Sequence, residues 1–172
     1  MVRRTNPLEG NHSLASQADN VQADGSDDTV NTVELPVSLS LVIFVGMPGS
    51  GKSTYYEENL LKMNYTYISQ DLLKTRQKVL STLKNSMLQK DNIVIDSTNP
   101  TQEKREEYYN LAKKYSYNIT VLYFVRNGKD WNKLRDKPVP NVVYSVYFKN
   151  LIEPTKNNTP GNLYQIMLSM RL

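Results

Sequence analysis

The sequence contains no cysteine and a single histidine, His12, among its 172 residues. Without cysteine the chain has no disulfide scaffold, no thiol nucleophile and no cysteine-ligated zinc or iron–sulfur centre. A lone histidine near a polar terminus argues against a histidine-based catalytic triad and against a histidine-rich metal site. The longest apolar run, residues 41–45, is far shorter than the roughly 20 residues that a membrane-spanning helix needs. We therefore expect a protein without a membrane span, of a length that suits one domain.

Charge is distributed unevenly along the chain. Residues 1–36 carry two arginines against six acidic residues, a net charge of −4, and residues 37–172 carry 19 basic against 11 acidic residues, a net charge of +8. The acidic segment lacks apolar periodicity and is predicted to be a disordered tail. It has no apolar core that would form a secretory signal, so we expect an intracellular protein, cytoplasmic or nuclear. The basic body predicts an anionic partner, for which nucleotide, nucleic acid and an acidic membrane surface all qualify.

Short apolar runs alternate with helical stretches from Pro36 onwards. This alternation predicts an α/β fold in which a parallel sheet of about five strands has helices on both faces. A phosphate-binding motif at residues 46–53 makes the predicted fold a P-loop NTPase. The predicted strands cover residues 39–45, 65–68, 92–95, 118–125 and 164–168, and the predicted helices cover residues 52–62, 71–89, 101–115 and 140–152.

The strongest motif is Gly-Met-Pro-Gly-Ser-Gly-Lys-Ser at residues 46–53, which fits the phosphate-binding pattern G-x-x-x-x-G-K-(S/T) at every position. An apolar strand precedes the loop and a helix follows it. The glycines allow the backbone to curl so that successive N–H groups face a phosphate, and the helix N-terminus adds its partial positive charge. Lys52 is predicted to contact the β- and γ-phosphates of ATP, and Ser53 to bind Mg²⁺. The predicted nucleotide-binding residues are Gly46, Met47, Pro48, Gly49, Ser50, Gly51, Lys52, Ser53 and Thr54.

Two carboxylates follow the second and third predicted strands. These are Asp71 and Asp96, and the second of them opens the run Asp-Ser-Thr-Asn. Because ligands of open parallel sheets bind at the carboxyl ends of the strands, both are expected at the mouth of the P-loop. A carboxylate near the γ-phosphate can accept the proton of an attacking hydroxyl. Asp71 is therefore a candidate general base as well as a candidate helix N-cap. Asp96 is either a carboxylate that acts near the γ-phosphate or a partner of the Mg²⁺ ligands or of the P-loop.

The P-loop, Ser69-Gln-Asp71-Leu-Leu and Ile95-Asp-Ser-Thr-Asn-Pro100 occur in this order and at these intervals. Together they resemble the polynucleotide 5′-hydroxyl kinase family, especially the kinase domain of polynucleotide kinase/phosphatases. The resemblance covers about residues 38–172. It implies transfer of the ATP γ-phosphate, with Mg²⁺, to the 5′-hydroxyl of DNA or RNA.

The resemblance also implies roles for individual residues. It makes Lys52 the P-loop lysine and Asp71 the general base, and it places Asp96 and Asn99 along the acceptor site. It further implies a lid arginine, for which Arg135 is the candidate. The rival lid cations are Arg126, Lys133 and Lys137. The substrate-binding arginine three residues past the catalytic aspartate corresponds to Lys74, and the arginine that usually precedes that aspartate is replaced by Gln70.

Two other functions share these motifs. A P-loop kinase of a small hydroxylated metabolite or nucleoside has the same fold and the same strand-end carboxylate, but it gains nothing from a strongly basic body. A non-catalytic nucleotide-binding or nucleic-acid-binding module is favoured by the two missing arginines. Transfer of labelled phosphate to an oligonucleotide, to small molecules or to neither separates the three hypotheses.

Overall fold

A five-stranded sheet organises the part of the chain that the computed structural model describes, which is residues 38–132, 135 and 137–166. Every neighbouring pair of strands is parallel, so the predicted fold class is confirmed. In their order across the sheet, the strands are β2 (Thr66–Ser69), β3 (Ile93–Asp96), β1 (Ser40–Gly46), β4 (Asn118–Phe124) and β5 (Asn162–Ile166).

Helices connect the strands. The first helix, α1, continues without interruption as a π-helix over Tyr56–Leu60 and a 3₁₀ turn over Leu61–Met63. The α-helices of the described residues are α1 (Lys52–Tyr55), α2 (Gln70–Leu73), α3 (Arg76–Leu88), α4 (Gln102–Lys114), α5 (Lys129–Asn132) and α6 (Asn141–Asn150).

The central strand β1 sends alternate side chains to the two faces of the sheet. Leu41, Ile43 and Val45 are fully buried in a core cluster that includes residues of α3 and α4. Val42 and Phe44 belong to a second cluster, which includes residues of the π-helix. Helices therefore cover both faces, as the sequence predicts. Because β1 lies between β3 and β4, its carboxyl end is at the switch point of the sheet, where ligands of such folds bind.

The single helix predicted after the second strand is in fact two helices. The backbone of Lys74 adopts a φ of 68°, in the left-handed region, and this residue ends α2. Thr75 then begins α3, because its side chain accepts a hydrogen bond from the N–H of Lys78 at 3.3 Å. Apolar periodicity does not reveal the break, since Leu73 and Leu80 pack against the same core cluster on either side of it.

The last strand begins two residues earlier than predicted, at Asn162, and its described part ends at Ile166. The predicted acidic tail, residues 1–36, and the end of the predicted last strand lie outside the described residues. Within residues 38–132, 135 and 137–166, no helix has the length and apolar character that crossing a membrane requires.

Candidate active site

The P-loop joins β1 to α1 and has the backbone shape of a phosphate-binding loop. Gly49 and Gly51 adopt φ angles of 77° and 93°, which side-chain-bearing residues rarely adopt. Lys52 begins the helix directly after Gly51. Ser50 Oγ is buried and has no hydrogen-bond partner among the described residues. A buried polar atom without a partner can form a hydrogen bond with a bound ligand. This arrangement fits the phosphates of a nucleotide.

The Lys52 side chain is buried within the loop. Its Nζ donates hydrogen bonds to the carbonyl oxygens of Gly46 at 3.0 Å and Met47 at 2.8 Å. Burial lowers the pKa of Lys52 to about 8, and the carboxylates of Asp96 and Asp71 act in the opposite direction. The ammonium group is therefore held near the loop backbone by neutral acceptors, with two carboxylates close enough to influence it.

Ser53, Asp96 and Tyr67 form a chain of oxygen atoms beside the P-loop. Ser53 Oγ donates to Asp96 Oδ2 at 2.8 Å, and the hydroxyl of Tyr67 donates to the same oxygen. Asp96 is only 7% exposed. Burial and the neighbouring Asp96 carboxylate raise the pKa of Tyr67 above its ordinary value, so that the phenol stays a donor at physiological pH.

Hydroxyl and carboxylate oxygens are the ligands that Mg²⁺ prefers, so Ser53 with Asp96 beside it fits this cation. The part of the chain that the structure describes has no group of three or more His, Cys, Asp or Glu side chains that could hold a metal ion. Mg²⁺ commonly keeps several waters and binds together with substrate phosphates, so a site of this composition suits a nucleotide-bound cation.

A cleft of about 770 Å³ lies at the mouth of the P-loop. It brings together Asp71, Asp96, Arg126 and Arg135, which the sequence analysis assigns to catalysis, substrate or lid. The P-loop residues that line it are Pro48, Gly49, Gly51, Lys52, Ser53 and Thr54. The cleft is also lined by Glu58, Gln70, Ser97, Thr98, Trp131, Val139 and Val143.

Asp71 lies in the first turn of α2, directly after the carboxyl end of β2. The N-cap of this helix is Ser69, so Asp71 does not fill the capping position that the sequence analysis considers as an alternative. Its side chain is exposed on the wall of the cleft. A carboxylate in this place can accept a proton from a hydroxyl that enters the cleft.

Asn99 does not reach the cleft, contrary to what the resemblance implies. Its side chain is 1% exposed, and Nδ2 donates to the carbonyl oxygen of Phe44 at 2.9 Å. The backbone of Asn99 has a φ of 41°, which turns the chain after β3 back into the interior. The amide therefore anchors this turn to β1 and does not line the cleft.

Lys74, to which the resemblance assigns substrate binding, does not line the cleft either. It is exposed at the break between α2 and α3. Among the lid cations, Lys137 is exposed and does not line the cleft, whereas Lys133 lies outside the described residues. The structure thus keeps Arg135 and Arg126 as cleft residues.

The two arginines differ in their surroundings. Arg126 Cζ lies 4.2 Å from the centre of the Trp131 ring, a cation–π contact. Arg135 is exposed, and its positive charge adds to the lowering of the Lys52 pKa. Trp131, the chain's one tryptophan, is a cleft residue that the sequence analysis does not single out. Its signal in the sequence is a lone aromatic residue between two candidate lid cations.

Gly128 is a further residue near the P-loop that the motifs do not predict. Its N–H donates to Met47 Sδ at 3.0 Å, and a Cβ at this position would lie 2.0 Å from the carbonyl oxygen of Pro48. Only a glycine lets the loop after β4 approach the P-loop backbone so closely. Of the chain's seven glycines, only Gly128 and Gly161 lie in the basic body outside the P-loop, and this scarcity is the available sequence signal.

Residues 41–133 match a protein-family model described as an AAA domain. A protein of Acanthamoeba polyphaga mimivirus, assigned as a bifunctional polynucleotide phosphatase/kinase, is 32% identical over 136 residues, which are 73% of this chain and 32% of that protein. The bifunctional polynucleotide phosphatase/kinase of Schizosaccharomyces pombe is 34% identical over 83 residues, which are 48% of this chain and 20% of that protein. The chain thus spans about a third or less of the length of these relatives.

The fold is shared with solved structures at lower identity. Kti12 from Chaetomium thermophilum, in complex with ADP-AlF3, superposes with a TM-score of 0.54 at 21% identity. The match covers 73% of this chain and 88% of that one. The described residues therefore have the fold of a P-loop kinase domain.

Proposed function

The chain belongs to the AAA-domain family, and from this premise we propose that it transfers the γ-phosphate of ATP to the 5′-hydroxyl of a polynucleotide. The observation that carries the proposal is the shared cleft, in which the P-loop, the Asp71 carboxylate and two arginines line one space. The names of the mimivirus and S. pombe relatives support a polynucleotide as acceptor. The net charge of +8 on residues 37–172 also favours a polyanionic acceptor over a small neutral one.

The P-loop, Ser53, Asp96 and Asp71 each have a task in this reaction. The P-loop N–H groups and Lys52 bind the phosphates and offset their negative charge. Mg²⁺, held by Ser53 with Asp96 beside it, would supply further positive charge to the β- and γ-phosphates. Asp71 accepts the proton of the attacking 5′-hydroxyl. The bond between that oxygen and the γ-phosphorus forms as the bond between the γ-phosphorus and the β–γ bridging oxygen breaks, and ADP leaves.

The test uses the full chain with labelled ATP, Mg²⁺ and a 5′-hydroxyl oligonucleotide. We expect label in this oligonucleotide and none in a matched one that already carries a 5′-phosphate. A parallel panel of nucleosides and sugars tests the small-molecule alternative. Label that appears only in that panel overturns the proposed acceptor. ATP binding without transfer to any acceptor overturns the proposed catalysis and leaves a binding module.

Because the pKa of Lys52 is about 8, we expect ATP affinity to fall as the pH rises above about 8. Bound phosphate raises the pKa of Lys52 above its value of about 8 in the free chain. The charged lysine therefore contributes affinity that is fully present below about pH 8 and is lost as pH rises towards the higher pKa of the complex, by up to about tenfold per pH unit. Calorimetric titrations between about pH 7 and pH 9.5 measure this slope. An affinity that stays constant across this range would contradict the prediction, and adenosine, which lacks phosphates, serves as the control ligand.

Arg135→Ala is expected to lower kcat/KM for the oligonucleotide about tenfold, less than the loss of a buried oxyanion donor because Arg135 is exposed. Lys137→Ala removes an exposed cation that does not line the cleft and is expected to change kcat/KM less than about twofold. Steady-state kinetics of both variants and of Arg126→Ala decide which arginine acts on the phosphates. A silent Arg135→Ala beside a strongly impaired Arg126→Ala would transfer the lid role to Arg126.

A further inference from the structure

Tyr67 is a partly buried residue beside the nucleotide site. The reaction described above gives it no role. It lies in the middle of β2, where Tyr67 pairs with Val94 of β3 and Ser69 pairs with Asp96. Residues two apart on a strand share a face, so Tyr67, Ser69 and Asp96 lie on the same side of the sheet. The long phenol reaches forward from this position to the Asp96 carboxylate, to which its hydroxyl donates.

The ring of Tyr67 is fixed from its other side. Tyr56, in the π-helix, stacks on it with ring centres 4.3 Å apart and an angle of 27° between the planes. The hydroxyl of Tyr56 donates a hydrogen bond at 3.2 Å to the carbonyl oxygen of Tyr65, the residue directly before β2. A phenol held in this way offers Asp96 a donor at a defined place.

Asp96 Oδ2 accepts two hydrogen bonds, one from Tyr67 and one from Ser53. This pairing has a consequence for a cation at Ser53. A hydroxyl that binds a cation through an oxygen lone pair has to direct its proton elsewhere, and Oδ2 receives it. The orientation of the carboxylate therefore sets the direction of the Ser53 lone pairs.

We propose that Tyr67 is a positioning residue of the nucleotide site, whose hydroxyl orients the Asp96 carboxylate so that Ser53 presents its oxygen to the Mg²⁺ of bound ATP. The inference rests on the nucleotide-binding part of the proposed function and names a determinant of that same site. Removal of a group that hydrogen-bonds to a metal ligand and orients it typically weakens metal affinity by about 10-fold to 100-fold. Tyr67 does not line the nucleotide cleft, so its effect on Mg²⁺ is exerted through Asp96 and Ser53.

Tyr67→Phe tests the proposal, because it removes the hydroxyl and keeps the ring that stacks on Tyr56. ATP binding by the full chain is followed through the fluorescence of Trp131, the chain's one tryptophan and a cleft residue, at increasing Mg²⁺ concentration. The variant is expected to need about tenfold more Mg²⁺ for the same gain in ATP affinity. Its ATP affinity in EDTA is expected to stay within about twofold of the original value.

Tyr117→Phe is the matched control. The Tyr117 hydroxyl also donates a hydrogen bond, to the carbonyl oxygen of Asp91 at 2.8 Å, but its partners do not include Asp96 or Ser53. This control is expected to lower thermal stability and to leave the Mg²⁺ requirement unchanged. An unchanged Mg²⁺ requirement in Tyr67→Phe overturns the proposal, as does an equal shift in both variants.

Failure of this inference is distinguishable from failure of the proposed function, because the readout is binding and needs no phosphoryl transfer. A Tyr67-dependent Mg²⁺ requirement in a chain that phosphorylates nothing supports the positioning role and overturns the proposed catalysis. Transfer to the oligonucleotide with an unchanged Mg²⁺ requirement in Tyr67→Phe does the reverse. ATP binding in the original chain that does not respond to Mg²⁺ overturns the positioning role, since Tyr67 then has no cation to serve.

Discussion

Asp71→Asn is expected to lower kcat for phosphorylation of a 5′-hydroxyl oligonucleotide about 10³-fold, while ATP affinity stays within about twofold. The amide keeps the shape of the side chain in the first turn of α2 but does not accept the hydroxyl proton. Asp71 is exposed on the cleft wall, and its negative charge acts on the pKa of Lys52, so it lies near the P-loop lysine. Single-turnover transfer rates, together with calorimetric ATP affinities, separate the loss of the base from a loss of binding.

Glu58→Gln is the matched control for this prediction. Glu58 is a second exposed carboxylate that lines the same cleft, so the substitution removes one negative charge from the cleft in the same way. We expect its kcat to stay within about threefold of the original value, because a general change of field is worth less than a lost proton acceptor. Equal losses in both variants would show that charge alone matters, and a nearly unimpaired Asp71→Asn would remove Asp71 from the role of base.

Local pattern and parallel topology are sufficient to predict that the P-loop and the carboxylates of Asp71 and Asp96 come together at one cleft. The P-loop is contiguous and its glycines carry their own backbone requirement, so Lys52 and Ser53 are located by the motif. Asp71 and Asp96 are far apart in sequence, yet Asp71 follows β2 and Asp96 ends β3 of one parallel sheet, which brings them to the same end of the strands. Both carboxylates line the cleft.

The sequence does not predict features that depend on a single backbone angle. Asn99 follows Asp96 by three residues, and the residues between them, Ser97 and Thr98, line the cleft. The φ of 41° at Asn99 instead turns the amide onto the carbonyl oxygen of Phe44. Likewise, Lys74 lies in a helical apolar pattern, but its φ of 68° ends α2 and leaves this lysine outside the cleft. Asparagine can adopt the left-handed region but does so only at some positions, and lysine seldom adopts it. Residue type alone therefore does not predict the backbone angle of Asn99 or of Lys74.

Contacts between distant segments are equally hidden from sequence patterns. Gly128 and Met47 are 81 residues apart in the chain, yet the N–H of one donates to the sulfur of the other. Met47 also packs with Tyr144 and Tyr147 of α6 in a small core cluster. Met47 of the P-loop therefore contacts both the loop after β4 and α6. The residues that make these contacts have no spacing that a sequence motif would reveal.

Gly128→Ala is expected to lower kcat/KM for ATP about 10²-fold, because it forces the P-loop away from its phosphate-binding shape. An added Cβ would lie 2.0 Å from the Pro48 carbonyl oxygen and 2.9 Å from the Ser50 nitrogen. Both neighbours are backbone atoms of the loop itself, so relief requires the loop or Gly128 to move. The added atom also overfills a packed region, which typically costs about 1–3 kcal/mol of stability. Thermal unfolding and ATP titration on the same sample measure the two effects separately.

Gly161→Ala separates a specific effect on the P-loop from general destabilisation. Gly161 has a φ of 95°, and a Cβ there would lie 2.3 Å from the carbonyl oxygen of Ile119, so this variant is strained as well. Ile119 pairs near the beginning of β4, at the opposite edge of the sheet from the P-loop. We expect a comparable loss of thermal stability and an ATP affinity within about twofold of the original value. If Gly128→Ala loses stability but binds ATP as well as Gly161→Ala does, the loop after β4 does not shape the nucleotide site, and its glycine serves packing alone.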